Sequence, residues 1–394
     1  MDKKSNQMEK KIVFIQPAYA RYRQPLFDLL CKNYATRFFF IEEPPQHFQK
    51  KSSNSSQPKP SDKSRTPGSR AFHLFQLFKR YLRLIVFLVR SNDSIIITSI
   101  SDSPQTMLSL LISRIKRKKC ALMIEEWFFP AKKSLESLFR LLLREHNLKC
   151  ADAVVAVGTA QRNYVMNFGV PSEKVFLANH CSIDLSKYRS ENLKQRLKIE
   201  KYLVVLYLGR IIRNKGLDFL IHAFSKLEQE RNDVFLLIGG DGDFRPHCES
   251  LARELDIEHI SFVGTVYGEE NLASYYKTAD VFVFPSCFRG YSKLHVEGWG
   301  LVINEAMSMG RPVVTTNAVG AALDLVKNGI NGYVVKNQDS QAICMALKKV
   351  LEDSKLREAM GKNSRKIFEE FNDFNKMFEG FRQAIDYVSR YQNV

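Results

Sequence analysis

Short runs of consecutive apolar residues alternate with amphipathic stretches along most of the chain. In the first half, six of these runs have the composition of buried strands, at residues 11–16, 37–41, 94–99, 120–124, 151–157 and 175–177. Strands that lack a polar face are typical of parallel sheets covered by helices on both sides. Helical periodicity over residues 26–34 and 107–115 lies between them. The pattern therefore predicts a parallel α/β domain over residues 1–180.

The second half repeats this alternation. Five further runs predict strands at residues 202–208, 234–238, 260–263, 281–284 and 313–316, and helical stretches separate them at 217–227, 248–255 and 272–278. A last strand and two terminal helices are expected to follow. We predict a second α/β domain over residues 199–375, after an aperiodic linker at 181–198. A C-terminal helix at 376–394 is expected to pack back on the first domain.

Residues 296–310 (VEGWGLVINEAMSMG) place two glutamates, Glu297 and Glu305, eight positions apart. The glycines that follow Glu297 favour a tight loop, and a helix is expected to begin near Val302. The free amides of the helix N-terminus, which attract anions, then lie between the two carboxylates. This arrangement suits a polyhydroxylated ligand that carries phosphate. Taken alone, the stretch fits a surface loop with two solvated glutamates equally well.

Glycines and cations follow the first strand of the second half. Gly209 and Arg210 end this strand, and Lys215 precedes the next helix. A cation on each side of a tight glycine turn can clamp a diphosphate. The turn at 239–244 (GGDGDF) contains the Asp-x-Asp sequence that metal-dependent transferases use. Here it follows a parallel strand, so we expect no metal there.

At 394 residues, with 45% hydrophobic and 26% charged residues, the chain has the composition of a soluble protein of two domains. Its seven cysteines show no metal-ligand spacing and predict reduced thiols in the cytoplasm. The sequence predicts neither a signal peptide nor a membrane span, which needs about 18 apolar residues.

The net charge of +17 is concentrated near the N-terminus, where residues 1–120 contain 23 basic and 8 acidic residues. Such asymmetry indicates an anionic partner, either nucleic acid or a membrane surface. Residues 49–70 are predicted to form a mobile basic loop. Residues 72–90 fit a basic amphipathic helix in a membrane interface or a core helix between strands. Because no nucleic-acid motif is present, an anionic membrane surface is the expected partner, and nucleic acid is not.

An ordered set of motifs over residues 200–375 resembles the donor domain of the GT-B, family-4-type retaining glycosyltransferases (glycosyl transferases group 1). The set comprises Gly209-Arg210 with Lys215-Gly216, Gly239 to Gly242, Val263-Gly264, Ala279-Asp280 with Pro285-Ser286, Glu297 with Glu305, and Gly320 with Asn331-Gly332. The resemblance covers about half the chain. It implies an α/β fold of the GT-B type, in which two Rossmann-like domains with parallel sheets face each other across a cleft.

The resemblance also implies roles for individual residues. The implied catalytic residues are Glu297, Arg210 and Lys215, of which the two cations neutralise charge on the departing diphosphate. The implied donor-binding residues are Gly209, Gly240, Val263, Gly264, Gly300, Leu301, Val302 and Glu305, the last on the ribose hydroxyls. The implied reaction is a metal-independent, cofactor-free hexosyl transfer that retains the anomeric configuration. Its donor is expected to be a UDP-linked sugar.

The chain departs from the family pattern in several places. Residues 287–296 (CFRGYSKLHV) are inserted before the first glutamate, and Ala321 replaces the second glycine of a usual pair. The family's acceptor-side histidine is not evident. Our candidates for the acceptor side of the cleft are Arg21, Arg23, Glu125 and Glu126, since the two glutamates follow a strand at the edge where ligands gather.

The expected acceptor is a lipid-linked or surface glycan, and the expected location is the cytoplasm, peripherally attached to the inner face of the cell membrane. Two other functions fit the same residues. One is a related protein that epimerises nucleotide sugars without transfer, and the other is a scaffold that only binds them. A requirement for an acceptor distinguishes these alternatives from a transferase.

Overall fold

The computed structural model describes residues 10–42, 70–127, 135–288 and 297–390. Our predictions for the basic loop up to residue 69 and for the insertion from residue 289 lie outside these ranges. The described chain forms two domains, each built on a six-stranded sheet. The strands of the first sheet are β1 (Lys11–Gln16), β2 (Ala35–Phe40), β3 (Ile95–Ser99), β4 (Lys119–Ile124), β5 (Ala153–Ala156) and β6 (Val175–Leu177). Those of the second are β7 (Leu203–Leu208), β8 (Val234–Gly239), β9 (Ile260–Gly264), β10 (Val281–Phe284), β11 (Val313–Thr316) and β12 (Gly332–Val335).

Helices connect the strands and cover both faces of each sheet. In the first domain they span Gln24–Asn33, Arg70–Arg90, Pro104–Ile115, Leu135–Cys150 and Thr159–Asn167. In the second they span Lys194–Leu197, Leu217–Glu230, Arg245–Glu254, Glu269–Thr278, Leu301–Ser308, Ala322–Leu325, Ser340–Glu352 and Ser354–Phe371, and a last helix, Phe374–Arg390, follows the second domain.

Both sheets are parallel and reverse their strand order once. The first runs β2-β1-β3-β4-β5-β6 and the second β12-β11-β10-β7-β8-β9. The order therefore reverses between β1 and β3 and between β7 and β10. In open α/β sheets, ligands bind in the crevice at the carboxyl ends of the strands on either side of such a point. The predicted fold of two parallel α/β domains is confirmed.

The apolar runs of the sequence become strands that are buried on both faces. In β7, Val204 to Leu208 are all buried, and so is the whole of β10. Removing one such side chain from water stabilises the fold by roughly 1.5–3 kcal/mol. These buried sheets hold the loops at their carboxyl ends in fixed positions.

The helix Phe374–Arg390 packs on the first domain, although it follows the second in sequence. Its Phe381 ring lies 5.7 Å from the ring of Phe14 in β1. A side chain at Gly380 would place Cβ 2.0 Å from the carbonyl oxygen of Leu177, so this close approach requires glycine. The Nζ atom of Lys10 lies 2.8 Å from Asp386 Oδ1. The last helix thus ties the two domains together.

Two helices, Ser340–Glu352 and Ser354–Phe371, end the second domain, and the C-terminal helix Phe374–Arg390 follows them. Asp353 separates the first two, and its Oδ1 atom accepts hydrogen bonds from the amides of Lys355 and Leu356 at 2.8 and 3.2 Å. This carboxylate caps the start of the second helix. The helices Leu135–Cys150 and Thr159–Asn167 were not predicted.

Candidate active site

The carboxyl ends of β7 and β10 lie side by side at the point where the second sheet reverses its order. Gly209 follows β7, and Gly240 follows β8 with a positive φ of 140°. A Cβ atom on Gly240 would lie 1.9 Å from the carbonyl oxygen of Gly209, so the two turns pack backbone against backbone. The amide of Gly240 also donates to the carbonyl of Gly264 at 2.7 Å. The glycines predicted from the sequence therefore line one continuous edge, with Val263 half-buried beside them.

Lys215 is buried at this edge and points towards the loop that carries Glu297. Its Nζ atom contacts Glu297 Oε2 and lies 5.0 Å from the centre of the Phe284 ring. Burial, and secondly the neighbouring Arg210, lower the pKa of Lys215 to about 7. Arg210 is exposed, and it lies close enough to Lys215 to affect its pKa. The three predicted catalytic residues therefore come together.

The loop 297–300, which we call the site loop, leads directly into the helix Leu301–Ser308, which we call the site helix. Gly300 ends the loop with a φ of 95°. Its missing side chain matters, since a Cβ atom there would lie 2.9 Å from Val319 Cγ1. The first helical residues, Leu301 and Val302, are half-buried. The site helix thus begins one residue before the predicted start.

Glu305 lies one turn into the site helix. Its Oε2 atom accepts a hydrogen bond of 3.0 Å from the hydroxyl of Tyr276, which also lies 3.2 Å from the carbonyl oxygen of Val302. Burial raises the pKa of Glu305 to about 7. A carboxylate that is largely desolvated and retains free acceptor capacity suits the binding of vicinal hydroxyls.

Arg23 and Glu125, two of the predicted acceptor-side residues, form an ion pair across the cleft from Lys215. The buried Arg23 guanidinium contacts both Glu125 Oε1 and Gln16 Oε1. His180, which sequence reasoning did not single out, lies 3.7 Å from the same Glu125 oxygen. Burial, and secondly Arg23, lower the pKa of His180 well below its usual value, so this ring is neutral. His180 is the last residue before the predicted linker at 181–198, where nothing in the pattern marked it.

The other two acceptor-side candidates lie elsewhere. Arg21 is largely exposed and pairs with Glu269 of the second domain at 3.1 Å. The carboxyl of Glu126 lies in a buried cluster of the first domain and accepts a 3.3 Å hydrogen bond from the amide of Ser101. Burial raises the pKa of Glu126, and Arg144 opposes this shift. Arg144 also contacts Asp102 Oδ2 at 3.1 Å.

Side chains of the first domain also contact the second domain next to the site loop. The indole Nε1 of Trp127 donates to the carbonyl of Glu297 at 2.9 Å. The amide nitrogen of Gln161 donates to the carbonyl of Glu125 at 3.1 Å and to that of Gly298. These contacts join residues that are 170 and 137 positions apart, so no local pattern could reveal them.

No group of three or more His, Cys, Asp or Glu side chains with metal-ligand geometry occurs among the described residues. In the Asp-x-Asp turn, Asp241 accepts a 2.8 Å hydrogen bond from the amide of Gly242. None of the helices in the described part of the chain is long and apolar enough to cross a membrane.

Comparisons with known proteins identify a family and several relatives that this chain resembles. The model of the family described as glycosyl transferases group 1 matches residues 189–367. The capsular polysaccharide biosynthesis glycosyltransferase CapM of Staphylococcus aureus is 30% identical over 244 residues, which are 58% of this chain and 60% of CapM. The GDP-mannose-dependent α-(1-6)-phosphatidylinositol monomannoside mannosyltransferase of Mycolicibacterium smegmatis is 35% identical over 170 residues, or 43% of this chain and 44% of that protein. The chain thus spans about half the length of these curated relatives.

The fold of the whole chain also has known counterparts. The crystal structure of Anabaena HepE (Alr3699) in complex with UDP superposes with a TM-score of 0.71 at 17% identity, and the match covers 96% of this chain and 99% of HepE. At this low identity the likeness concerns the fold, and it includes both domains.

Proposed function

Residues 189–367 are a glycosyl transferases group 1 domain within a GT-B fold, and from this premise we propose that the protein is a retaining hexosyltransferase. Its donor is a nucleotide-diphosphate sugar, and its acceptor is a lipid-linked or surface glycan at the cytosolic face of the membrane. The observation that carries the proposal is the contact of Lys215 with Glu297 beside Arg210, at the crevice between β7 and β10.

The chemistry follows from the charges in this crevice. Arg210 and Lys215 are positioned to bind the two phosphates, and Glu305 is positioned to accept hydrogen bonds from the ribose. Charge grows on the diphosphate as it leaves, and preorganised cations stabilise that charge more in the transition state than in the ground state. The cations of the chain thereby take the role that a metal ion has in other transferases, so the proposed reaction needs none.

Retention of configuration follows a front-face route. The bond between the sugar C1 atom and the leaving phosphate oxygen breaks, and the acceptor oxygen bonds to C1 on the same face. The acceptor proton passes to the departing phosphate, so the step requires no protein nucleophile. Glu297 is held next to Lys215, and in the proposed reaction it contacts the sugar hydroxyls.

The identity of the nucleobase rests on the relatives. HepE was crystallised with UDP, which supports a UDP-linked donor, whereas the Mycolicibacterium enzyme is named for GDP-mannose. We retain UDP as the proposal because the HepE match extends over the whole chain. Both nucleotides belong in the donor screen.

A lipid-borne acceptor is supported by the surface of the first domain. Twelve large apolar side chains are exposed on three neighbouring helices, and we call them the apolar face. They are Phe75, Phe78, Leu82, Val86 and Val89 on the first helix, Met107, Leu111 and Ile115 on the second, and Leu135, Leu138, Phe139 and Leu142 on the third. Exposed apolar surface of this extent marks an interaction site.

Basic residues surround the apolar face and suggest what binds it. The side chains of Lys79, Arg83, Arg90 and Arg114 are exposed on the same helices, and those of Lys116 and Arg117 are exposed directly after the second helix. Each contributes about 1 kcal/mol near an anionic lipid surface. Apolar side chains inserted among the acyl chains, together with cations on the head groups, give reversible attachment. The helix over residues 72–90 therefore packs one side in the core, and we propose that its exposed side binds the membrane. The mycobacterial relative's name, which includes phosphatidylinositol, supports a membrane acceptor.

The test is a screen of UDP- and GDP-linked hexoses for nucleotide release, with and without a lipid extract as acceptor. We expect release that requires the extract and that Arg210→Ala abolishes. Conversion of a donor without any acceptor would instead support an epimerase. Binding of a nucleotide sugar without turnover under all conditions would support a scaffold.

A further inference from the structure

We propose that Trp127 and Gln161 of the first domain are positioning residues that hold the site loop of the second domain. By fixing the backbone at Glu297 and Gly298, they place the Glu297 carboxylate against Lys215 only when the two domains are together. The inference rests on the proposed function, because it assigns these residues a part in that reaction.

The carbonyl oxygen of Glu297 is held from two directions. The amide of Gly320, in the second domain, donates to it at 3.1 Å, and the indole of Trp127 donates at 2.9 Å from the first domain. The ring of Trp127 is itself held by Phe288, whose centroid lies 5.7 Å away. A carbonyl with two donors at fixed angles leaves the peptide little freedom to rotate, so the side chain of Glu297 keeps its direction.

The carbonyl oxygen of the next residue, Gly298, is held by Gln161. This side chain is fully buried, and its amide nitrogen also donates to the carbonyl of Glu125. One side chain therefore connects the backbone beside the Arg23–Glu125 ion pair to the backbone beside the Lys215–Glu297 pair. The acceptor side and the donor side of the cleft share this connection.

Glycines allow the two domains to approach this closely. A Cβ atom at Gly298 would lie 3.0 Å from the carbonyl oxygen of Glu125. One at Gly320 would lie 2.0 Å from the carbonyl oxygen of Gly298 and 2.9 Å from the Gln161 amide nitrogen. Larger residues at either position would separate the donors from their acceptors. Position 320 therefore requires glycine, because a side chain there would disrupt the interface with the first domain.

The helix that carries Gln161 is itself anchored on the second domain. The amide of Thr159, at the first turn of this helix, donates to Asp324 Oδ2 at 2.9 Å. The preceding Gly158 has no side chain of its own to cap the helix, and Trp299 of the second domain lies against it. Asp324 of the second domain therefore caps this helix, and the contact holds Gln161 beside the site loop.

The test uses two variants that remove a donor and preserve bulk, Trp127→Phe and Gln161→Met. The control is Glu269→Gln, which breaks the exposed interdomain pair with Arg21 and does not touch the site loop. We expect kcat to fall at least about tenfold in both test variants, since a small misplacement of a reacting group can cost about 100-fold. The donor KM and the affinity for UDP should stay within about twofold, because the donor-binding residues lie in the second domain. The control should resemble the wild type.

A second measurement does not depend on sugar transfer. Hydrogen exchange of the backbone amides of the site loop should accelerate in both test variants and not in the control. If the wild type transfers no sugar from any donor, the proposed function fails, and this exchange experiment still decides whether the loop is held. Unchanged kcat and unchanged exchange in Trp127→Phe and Gln161→Met would overturn the inference. A rise in donor KM that accounts for the whole loss of kcat/KM would also overturn it, because the two residues would then act on donor binding.

Discussion

The amine of Lys215 contacts the carboxylate of Glu297, although 82 positions separate them in the chain. Lys215 follows β7 and Glu297 follows β10, and these strands are neighbours only because the sheet reverses its order between them. The topology thus creates a buried pair of opposite charges at the crevice where ligands bind in such sheets. A buried ion pair is weak evidence for stability, so its position at this edge indicates a role in binding and catalysis.

The two glutamates of the site loop and site helix should have separable roles. We predict that Glu305→Ala loses affinity for the nucleotide, since it removes the acceptor for the ribose hydroxyls. Glu297→Ala should lower kcat more than affinity, because this residue lies by the reacting sugar. Calorimetry with UDP and steady-state kinetics measure the two effects.

Tyr276→Phe is the control for Glu305, because it removes the 3.0 Å hydrogen bond to the carboxylate and leaves the carboxylate itself in place. It should weaken UDP binding less than Glu305→Ala does. Equal and mild losses in both Glu297→Ala and Glu305→Ala would contradict the division of roles.

The donor kinetics should depend on pH through two groups of the site. Burial raises the pKa of Glu305 to about 7, whereas burial and Arg210 lower that of Lys215 to about 7. As pH falls through this value, Glu305 becomes protonated and accepts hydrogen bonds from the ribose less strongly. As pH rises through it, Lys215 loses the charge that holds the diphosphate. The expected profile of kcat/KM for the donor is therefore a narrow bell near neutrality.

Each limb of this profile can be removed separately. Lys215→Arg keeps its charge at all accessible pH values and should abolish the alkaline limb. Glu305→Gln cannot ionise and should abolish the acid limb, at the cost of a lower maximum. A profile that stays bell-shaped in both variants would show that other groups titrate.

The strands could be predicted from the sequence because each is a short apolar run between turn residues. For β11 the predicted and observed bounds are the same, residues 313–316. The start of the site helix was also predictable to within one residue, since a glycine pair before good helix formers has few other conformations. Local patterns suffice where neighbouring residues alone determine the structure.

Contacts between the domains could not be predicted in this way. Glu125 and Glu126 have the same chemistry in sequence, yet one pairs with Arg23 and the other faces the buried Arg144. Consecutive side chains of an extended segment point to opposite sides. Which of the two sides faces the cleft depends on where the strand lies in the folded domain. Trp127 follows the two glutamates at the same strand end, yet nothing in the sequence shows that it and Gln161 contact the second domain.

The buried charges behind Glu126 predict a large effect on stability. The side chains of Arg144 and Asp102 are each only 1% exposed, and they contact each other at 3.1 Å. Arg144→Met keeps the bulk but removes the closest cation of the Asp102 carboxylate, and Arg140 remains at 3.3 Å. Breaking a buried pair costs about 3–5 kcal/mol of unfolding free energy, and the remaining Arg140 places the expected cost at the lower end of this range. Denaturant titration measures this cost.

Lys149→Met, on the same helix, is the matched control, because Lys149 forms an exposed pair with Glu145 four residues earlier. Pairs of this kind contribute about 0.3–0.5 kcal/mol. If Arg144→Met costs no more than Lys149→Met, the buried cluster does not hold the helix on the sheet.

The apolar face predicts that the protein binds anionic vesicles and not neutral ones. Sedimentation with vesicles of anionic phospholipid should bring the protein into the pellet at low salt. Salt should release part of it, since charges at the surface are screened over ~8 Å at physiological ionic strength. Vesicles of a zwitterionic lipid should leave the protein in the supernatant.

Single polar substitutions on the apolar face separate insertion from simple charge attraction. Ile115 is 70% exposed on this face, and Ile330 is 51% exposed on the second domain. Ile115→Gln and Ile330→Gln leave every charge in place, so a purely electrostatic association would be the same in both variants and in the wild type. If the face enters the lipid, Ile115→Gln should weaken binding to anionic vesicles, because it must bury an amide among acyl chains, whereas Ile330→Gln should bind nearly as the wild type does. Wild-type protein that stays in the supernatant with anionic lipid at low salt would contradict membrane attachment, and a soluble anionic glycan would then be the better acceptor to test.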